Sequence, residues 1–305
     1  MPLFCDRPYV GSVTRRVLTL LSLVAAAGWA DAGPVSFLAG ASAQTDAGFT
    51  SSFAQQTSAA RSSQYNLGTS IFEKANSAAN LATGQLKVRA ENVATGSDQG
   101  QVAVATSFIA DSFRHTTGTN PFNWTSTTEA SFNVHIDGST SLNPGPGDVF
   151  NLGYIALIVY KPGTLTDTLA FCDSTVITAF FWSVGAQAPS ANPCGGSFVG
   201  HLEGTVDEEL TASFMPGGDF DWAFGMRVGG AFNANVGGPS SGRWLDDFGS
   251  TATLTYAGPA GATVTSGSGV FPGTVAAIPE PGTLALVGLG ALGLILRRRS
   301  SAAAF

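Results

Sequence analysis

The chain of 305 residues is long enough for one large domain or two small ones, and its 44% of hydrophobic residues can form a sizeable core. Only 11% of the residues are charged, and 38 glycines favour short strands and many turns over long surface helices. The formal net charge of −7 argues against nucleic acid as a partner, because an acidic chain repels phosphate backbones.

The N-terminal segment, residues 1–32, predicts a secretory signal peptide. Its features are a polar start that ends in two basic residues (Arg15, Arg16), an apolar run (17–27) and a small-x-small cleavage site (Ala30, Ala32). The alternative is a short membrane anchor, but eleven apolar residues cannot cross a bilayer core of about 30 Å as a helix. We therefore expect export by the secretion machinery.

The next segment, residues 33–257, carries short runs that alternate between apolar and polar residues, as half-buried strands do. The runs are residues 85–89, 101–105, 131–136, 205–207, 210–214, 221–228 and 251–256. Residues 154–160 are apolar on both faces and predict a central strand, and Asp137-Gly138 predicts a turn. Residues 55–79 are the best candidate for a helix. The pattern predicts an all-β ectodomain, an antiparallel β-sandwich of jelly-roll type.

One further segment and the cysteines bear on domain organisation and redox state. Residues 258–277 are rich in Gly, Ser and Pro and predict a linker. Cys5 falls within the predicted signal peptide, so Cys172 and Cys194 remain as a pair. In an exported chain this pair predicts a disulfide, because the periplasm is oxidising. A thiol nucleophile is the alternative, although no local motif supports it.

Candidate catalytic and metal-binding residues are sparse. The histidines His115, His135 and His201 show no metal-type spacing, so the sequence predicts no metal site and no cofactor. A Ser-His-Asp arrangement stays open because triads assemble in space, but the chain has no G-x-S-x-G elbow. No catalytic residue is therefore assigned.

Acidic pairs and tryptophans are weak candidates for binding. The acidic clusters, which are either Ca²⁺ ligands or solvated turn residues, are Asp207-Glu208-Glu209, Asp219 with Asp221, and Asp246-Asp247. The tryptophans, which either stack on sugar rings or fill the core, are Trp124, Trp182, Trp222 and Trp244.

The C-terminal segment, residues 278–305, combines three features in a fixed order. They are Pro279-Glu280-Pro281, an apolar stretch over residues 283–296, and the cluster Arg297, Arg298 and Arg299. The apolar stretch predicts a short transmembrane helix whose arginines stay cytoplasmic. Fourteen residues suit a transient rather than a permanent anchor, for which about 20 are needed.

In these residues the chain resembles the PEP-CTERM family of exported proteins. The resemblance implies transient inner-membrane anchoring and processing by an exosortase, a membrane-embedded transpeptidase, in a Gram-negative host that makes exopolysaccharide. Residues 80–87, 247–254 and 261–265 also look like segments of other PEP-CTERM ectodomains, which supports the sandwich. A simple tail-anchored protein is the alternative.

Together these features predict a protein of the cell surface or extracellular matrix. We expect it to be non-enzymatic and associated with exopolysaccharide in a biofilm. A carbohydrate-binding module and a secreted hydrolase are the alternatives.

Overall fold

The computed structural model describes residues 35–67, 71–97, 101–143, 148–151, 153–166, 172–185, 192–233 and 240–271. Regular structure in these ranges consists of β-strands and one 3₁₀ turn, η1 (Leu81–Thr83), with no α-helix among them. The prediction of an all-β fold is confirmed. The strands are, in chain order, β1 (Phe37–Thr45), β2 (Gly48–Ala54), β3 (Ser58–Leu67), β4 (Ile71–Asn80), β5 (Gln85–Ser97), β6 (Gln101–Thr117), β7 (Asn120–Pro121), β8 (Ala130–Asn143), β9 (Asp148–Asn151), β10 (Gly153–Tyr160), β11 (Val176–Val184), β12 (Gly200–Leu202), β13 (Thr205–Phe214), β14 (Phe220–Asn233), β15 (Ser240–Ala257) and β16 (Thr263–Ser266).

The strands form two sheets that pack face to face. The larger sheet has the order β12-β11-β10-β14-β6-β1-β2, with β7 and β16 also paired to β6 and β9 to β14. The smaller sheet has the order β13-β8-β15-β5-β4-β3. Neighbouring strands run antiparallel except β11 and β12, which are parallel. The described body is therefore a predominantly antiparallel sandwich.

Aromatic side chains fill the space between the sheets. Phe113 on β6 lies with its ring centroid 6.1 Å from Phe132 on β8 and 4.7 Å from Tyr256 on β15, so it joins both sheets. On its own sheet it contacts Trp222 of β14 at 5.4 Å. Strand alternation places these residues on the inner faces of the sheets, since every second side chain of a strand points to the same face.

At each lateral edge of the sandwich the chain passes from one sheet to the other, between strands that pair with a single neighbour among the described residues. At one edge the turn between β2 and β3 makes the crossing, and the Thr50 hydroxyl donates to the Ser62 carbonyl. At the other edge β12 leads into β13, and Gly204 and Thr140 exchange hydrogen bonds. Charged residues on the exposed positions of β13 further discourage pairing with another chain.

A second apolar layer covers the outer face of the larger sheet. Ile158, Phe181 and Ala223 are buried there, beneath segments that contribute Leu165 and Phe198. The predicted disulfide is present, with the Cα atoms of its two cysteines 5.4 Å apart. It links the connection that precedes β11 to the one that follows it, and these connections carry Leu165 and Phe198.

The best helix candidate in the sequence, residues 55–79, is not a helix, because this segment forms β3 and β4, which pair in an antiparallel hairpin. In β4 the inward positions alternate strictly and include Ile71, Glu73 and Ser77. Glu73 and Ser77 are polar residues at inward positions, so a count of apolar residues alone does not show the two-residue period of this strand.

The turn predicted at Asp137-Gly138 is also wrong, since both residues lie inside β8. Gly138 serves close packing rather than chain reversal. A Cβ at this position would lie 2.3 Å from the Phe248 ring and 2.8 Å from the Asp247 carbonyl oxygen. Both neighbours belong to β15, whose register with β8 shifts between Asp247 and Thr251.

The folded body extends beyond residue 257 into the segment with linker composition. Strand β16 pairs with β6, and Phe271 is 1% exposed within the core. The predicted signal peptide and the predicted transmembrane helix both lie outside the described residues. In the ranges given above, no helix has the length and apolar character that a membrane span requires.

We expect Gly138→Ala to destabilise the fold by about 1–3 kcal/mol, because the added methyl group overpacks a site bounded partly by backbone. Gly218→Ala is the matched control, since a Cβ there meets no atom within 4 Å. Urea unfolding followed by tryptophan fluorescence would measure both effects. Equal stability of the two variants would contradict the close packing at Gly138.

Replacing both Cys172 and Cys194 by serine should lower the free energy of unfolding by about 3 kcal/mol, because the unfolded chain regains the freedom of the closed loop. The wild-type protein in reductant should unfold at the same urea concentration as the double variant. If reductant left the wild-type midpoint unchanged, the disulfide would make no contribution to stability.

Candidate functional site

A partly buried polar cluster joins His115, Asp219 and Tyr256 at one end of the sandwich. The backbone N–H of His115 donates to Asp219 Oδ1 at 2.9 Å, and His115 Nδ1 lies 3.4 Å from the same oxygen. His115 Nε2 lies 2.8 Å from the Tyr256 hydroxyl oxygen. A carboxylate only accepts, so the arrangement fits a proton on Nδ1 and a Tyr256 hydroxyl that donates to Nε2.

This cluster resembles a proton relay in connectivity but has the surroundings of a core network. Aromatic rings enclose His115, with the Trp124 centroid at 4.8 Å and the Phe220 centroid at 5.4 Å. Burial lowers the pKa of His115 below its usual value, and hydrogen bonding to Asp219 opposes the shift. Because the imidazole is neutral and both ring nitrogens have partners, the cluster stabilises the end of the sandwich.

A serine, a histidine and a glutamate meet on the outer face of the larger sheet. Ser183 Oγ lies 2.8 Å from His201 Nδ1, and His201 Nε2 lies 3.5 Å from a Glu203 carboxylate oxygen. A hydrolytic triad needs a serine that substrate can reach. Ser183 is only 1% exposed, and its hydroxyl also donates to the Gly200 carbonyl at 3.3 Å. The three side chains therefore fix β12 against β11 rather than present a nucleophile.

His135 points outward from β8, as its alternation with apolar neighbours predicts. Its ring lies between two carboxylates of β13, with Nδ1 3.0 Å from Glu209 and Nε2 3.9 Å from Asp207. These contacts connect an edge strand to its neighbour on an exposed surface. Across the described ranges, no three His, Cys, Asp or Glu side chains group closely enough to hold a metal ion.

The other acidic candidates contact protein groups. The Asp221 carboxylate accepts from the backbone N–H groups of Thr164 and Leu165, each at 2.9 Å, and so anchors the segment over the outer apolar layer. Asp247 forms an ion pair of 3.2 Å with Arg89. Asp246 is 1% exposed within the sandwich.

The tryptophans singled out in the sequence do not offer exposed faces. Trp182, Trp222 and Trp244 lie in the core with 0–3% exposure, and Trp124 packs partly buried against it. Stacking on sugar rings by the three core tryptophans is thus inconsistent with their burial. Their large apolar area explains the placement, since aromatic side chains dominate the energetics of cores.

Two buried carboxyl groups have raised pKa values that the sequence did not indicate. Burial raises the pKa of Glu73 to about 8; the Asp46 N–H, which donates at 2.7 Å, opposes the rise and the Asp46 charge adds to it. Burial also raises the pKa of Asp111 to about 6, although hydrogen bonds from Ser268 and the Ser112 N–H oppose it. Both carboxyl groups face the interior, so they bear on stability.

Sequence reasoning also missed an open groove on the smaller sheet. It has a volume of about 640 Å³ and lies where β2 turns into β3 and β4 turns into β5. Alanine, serine and amide side chains line it together with Arg61 and Lys87. Because none of these residue types forms a recognisable motif, only the three-dimensional arrangement reveals the groove.

The sorting residues lie outside the described residues, as do Ala30 and Ala32. Residues 277–299 match the family described as the PEP-CTERM protein-sorting motif. The match includes Pro279-Glu280-Pro281 and the arginine cluster, so the predicted resemblance is confirmed. No curated protein shows significant similarity to the chain. The motif indicates an exported protein that is anchored in a membrane during sorting and processed by an exosortase.

Glu73→Gln should flatten the dependence of stability on pH. In the wild type, folded Glu73 keeps its proton up to about pH 8, whereas the unfolded chain releases it near 4.5. The stabilisation is therefore fully present below about pH 4.5 and is lost progressively as the pH rises to about 8, a loss of roughly 5 kcal/mol for the full shift in pKa. Glutamine mimics the protonated form at every pH.

The measurement is urea unfolding at a series of pH values, with the exposed Glu129→Gln as control. Asp111 acts in the same direction up to about pH 6, and His115 destabilises the fold as the pH falls below its usual value of 6.5. Both contributions are common to all variants, so the difference between profiles isolates Glu73. If the stability of the wild type and of Glu73→Gln depended on pH in the same way, the folded protein would not hold a proton on Glu73.

Proposed function

Because the chain carries a PEP-CTERM protein-sorting motif, we propose that it is a surface or matrix protein whose tail an exosortase removes. Its body then acts without catalysis among the exopolysaccharide of a biofilm formed by a Gram-negative bacterium. The single observation that carries this proposal is the match over residues 277–299.

The physical properties of the tail support the sorting step. Proline disfavours helix in the residue before it, so the sequence Pro279-Glu280-Pro281 disfavours helix at the residue between the prolines. The apolar stretch over residues 283–296 is short for a bilayer core of about 30 Å, which suits a temporary stay in the inner membrane. The arginine cluster fixes the orientation with its charges on the cytoplasmic side.

Three structural properties of the described body support a location outside the cytoplasm. The exposed Cys172–Cys194 disulfide persists only in an oxidising compartment. Charged residues at the exposed positions of the edge strand β13 reduce strand pairing between copies, which matters for a protein concentrated at a surface. The outer face of the smaller sheet is dominated by polar residues that remain hydrated among polysaccharide.

The polar clusters support a non-catalytic role, because their side chains are buried or held by other protein groups. His115 is enclosed by aromatic rings, Ser183 is buried beneath its histidine partner, and His135 is held between two carboxylates. A secreted hydrolase would need a reachable nucleophile or an acid–base pair in a cleft. The carbohydrate-binding alternative is favoured by a different observation, the polar groove beside β3.

Peptide mapping by mass spectrometry would test the sorting proposal on protein purified from its host's surface and medium. The wild type should begin near Gly33 and yield no peptide beyond the Pro279–Pro281 region. A variant with alanine at Pro279 and Pro281 should keep the tail, because it lacks both prolines of the sorting motif. Pro272→Ala is the matched control and should be processed like the wild type.

The persistence of the apolar stretch and the arginine cluster in wild-type surface material would contradict processing. The protein would then be an ordinary tail-anchored protein, and the link to exopolysaccharide would lose its support. Equal processing of the double-proline variant would show that a different feature directs cleavage.

A further inference from the structure

The groove beside β3 has the geometry of a shallow binding site. The pairing register of the strands places Ala60, Ala78 and Lys87 in one row across β3, β4 and β5. Ser58, Asn80 and Gln85 form the neighbouring row. Small side chains between longer ones create a depression, and its volume of about 640 Å³ falls within the usual range of ligand pockets, about 300–1,000 Å³.

Polar side chains at the groove are oriented before any ligand arrives. Gln56 Nε2 donates to the Ala39 carbonyl and to Ser52 Oγ, each at 3.2 Å. Asn80 caps η1 by accepting from the Thr83 N–H at 3.3 Å, which leaves its amide nitrogen without a hydrogen-bond partner among the described residues. Fixed amides reduce the ordering cost of binding a hydroxyl-rich ligand.

The groove is positive on a chain whose net charge is −7. Arg61 and Lys87 line it, and its described lining includes no acidic residue. Within the described ranges neither cation forms an ion pair, and the Arg61 guanidinium donates only to the Ala60 carbonyl at 2.7 Å. Arg89 and Arg243, in contrast, are both bound to Glu91. Two available cations at one depression favour an anionic ligand.

We propose that this groove binds an anionic polysaccharide, with Arg61 and Lys87 contacting sugar carboxylates and with Gln56, Asn80 and Gln85 contacting hydroxyls. The alanine floor admits the C–H face of a sugar ring. Nucleic acid fits less well, because the lining has no aromatic residue for base stacking and the chain as a whole repels phosphate. The proposal rests on the proposed matrix location, which supplies the polysaccharide.

The test is calorimetric titration of the processed protein with an oligogalacturonate, compared with a neutral galactan oligosaccharide of equal length. Wild type should bind the uronate and not the neutral sugar. Arg61→Gln and Lys87→Gln should each weaken binding about tenfold, which corresponds to about 1.4 kcal/mol. Lys74→Gln is the matched control, because Lys74 lies on the same face of β4 roughly 13 Å along the strand from Ala78.

Lys74→Gln should bind within about twofold of wild type, since its loss changes the net charge but not the groove. An equal loss in Lys74→Gln, equal binding of the neutral sugar, no uronate binding, or tighter binding of single-stranded DNA would each overturn the proposal. Thermal unfolding of each variant verifies that the fold is intact. Mass-spectrometric mapping of the termini tests the sorting proposal without any binding measurement. Failure of polysaccharide binding and failure of sorting can therefore be told apart.

Discussion

The packing of the two sheets around Phe113 is the interaction on which the rest of the structure depends. Phe113 reaches Phe132 and Tyr256 across the interface and Phe271 beyond the last strand. Each aromatic ring excludes water from a large area, so this cluster sets the spacing of the sheets. Polar groups at the same end must then find partners inside the protein, as His115 does with Tyr256.

Much of the fold follows from the sequence because strand alternation is a local signal. The run over residues 154–160 is the central strand β10, since only a strand covered on both faces tolerates so many apolar residues. The disulfide was predictable because only two cysteines lie outside the predicted signal peptide. The sorting segment was predictable because its three features must occur in order along the chain.

Other features depend on contacts between residues that are distant in sequence. A polar residue at an inward position, such as Glu73, breaks the apolar alternation of β4 although the strand remains. Gly138 predicts a turn by composition, but its neighbour Phe248 decides its role. The groove draws on residues of four consecutive strands, from Ser52 on β2 to Lys87 on β5. Neither propensity nor spacing reports that these side chains share one surface.

The charge of the body constrains how such a protein meets an acidic polysaccharide. A chain with net charge −7 repels a polyuronate at long range, whereas Arg61 and Lys87 attract it only at contact. At physiological ionic strength the Debye length is about 8 Å, so salt screens the distant repulsion more than contacts inside the groove. If the groove binds a polyuronate as proposed, local complementarity on a repelling body makes this attachment weak and reversible.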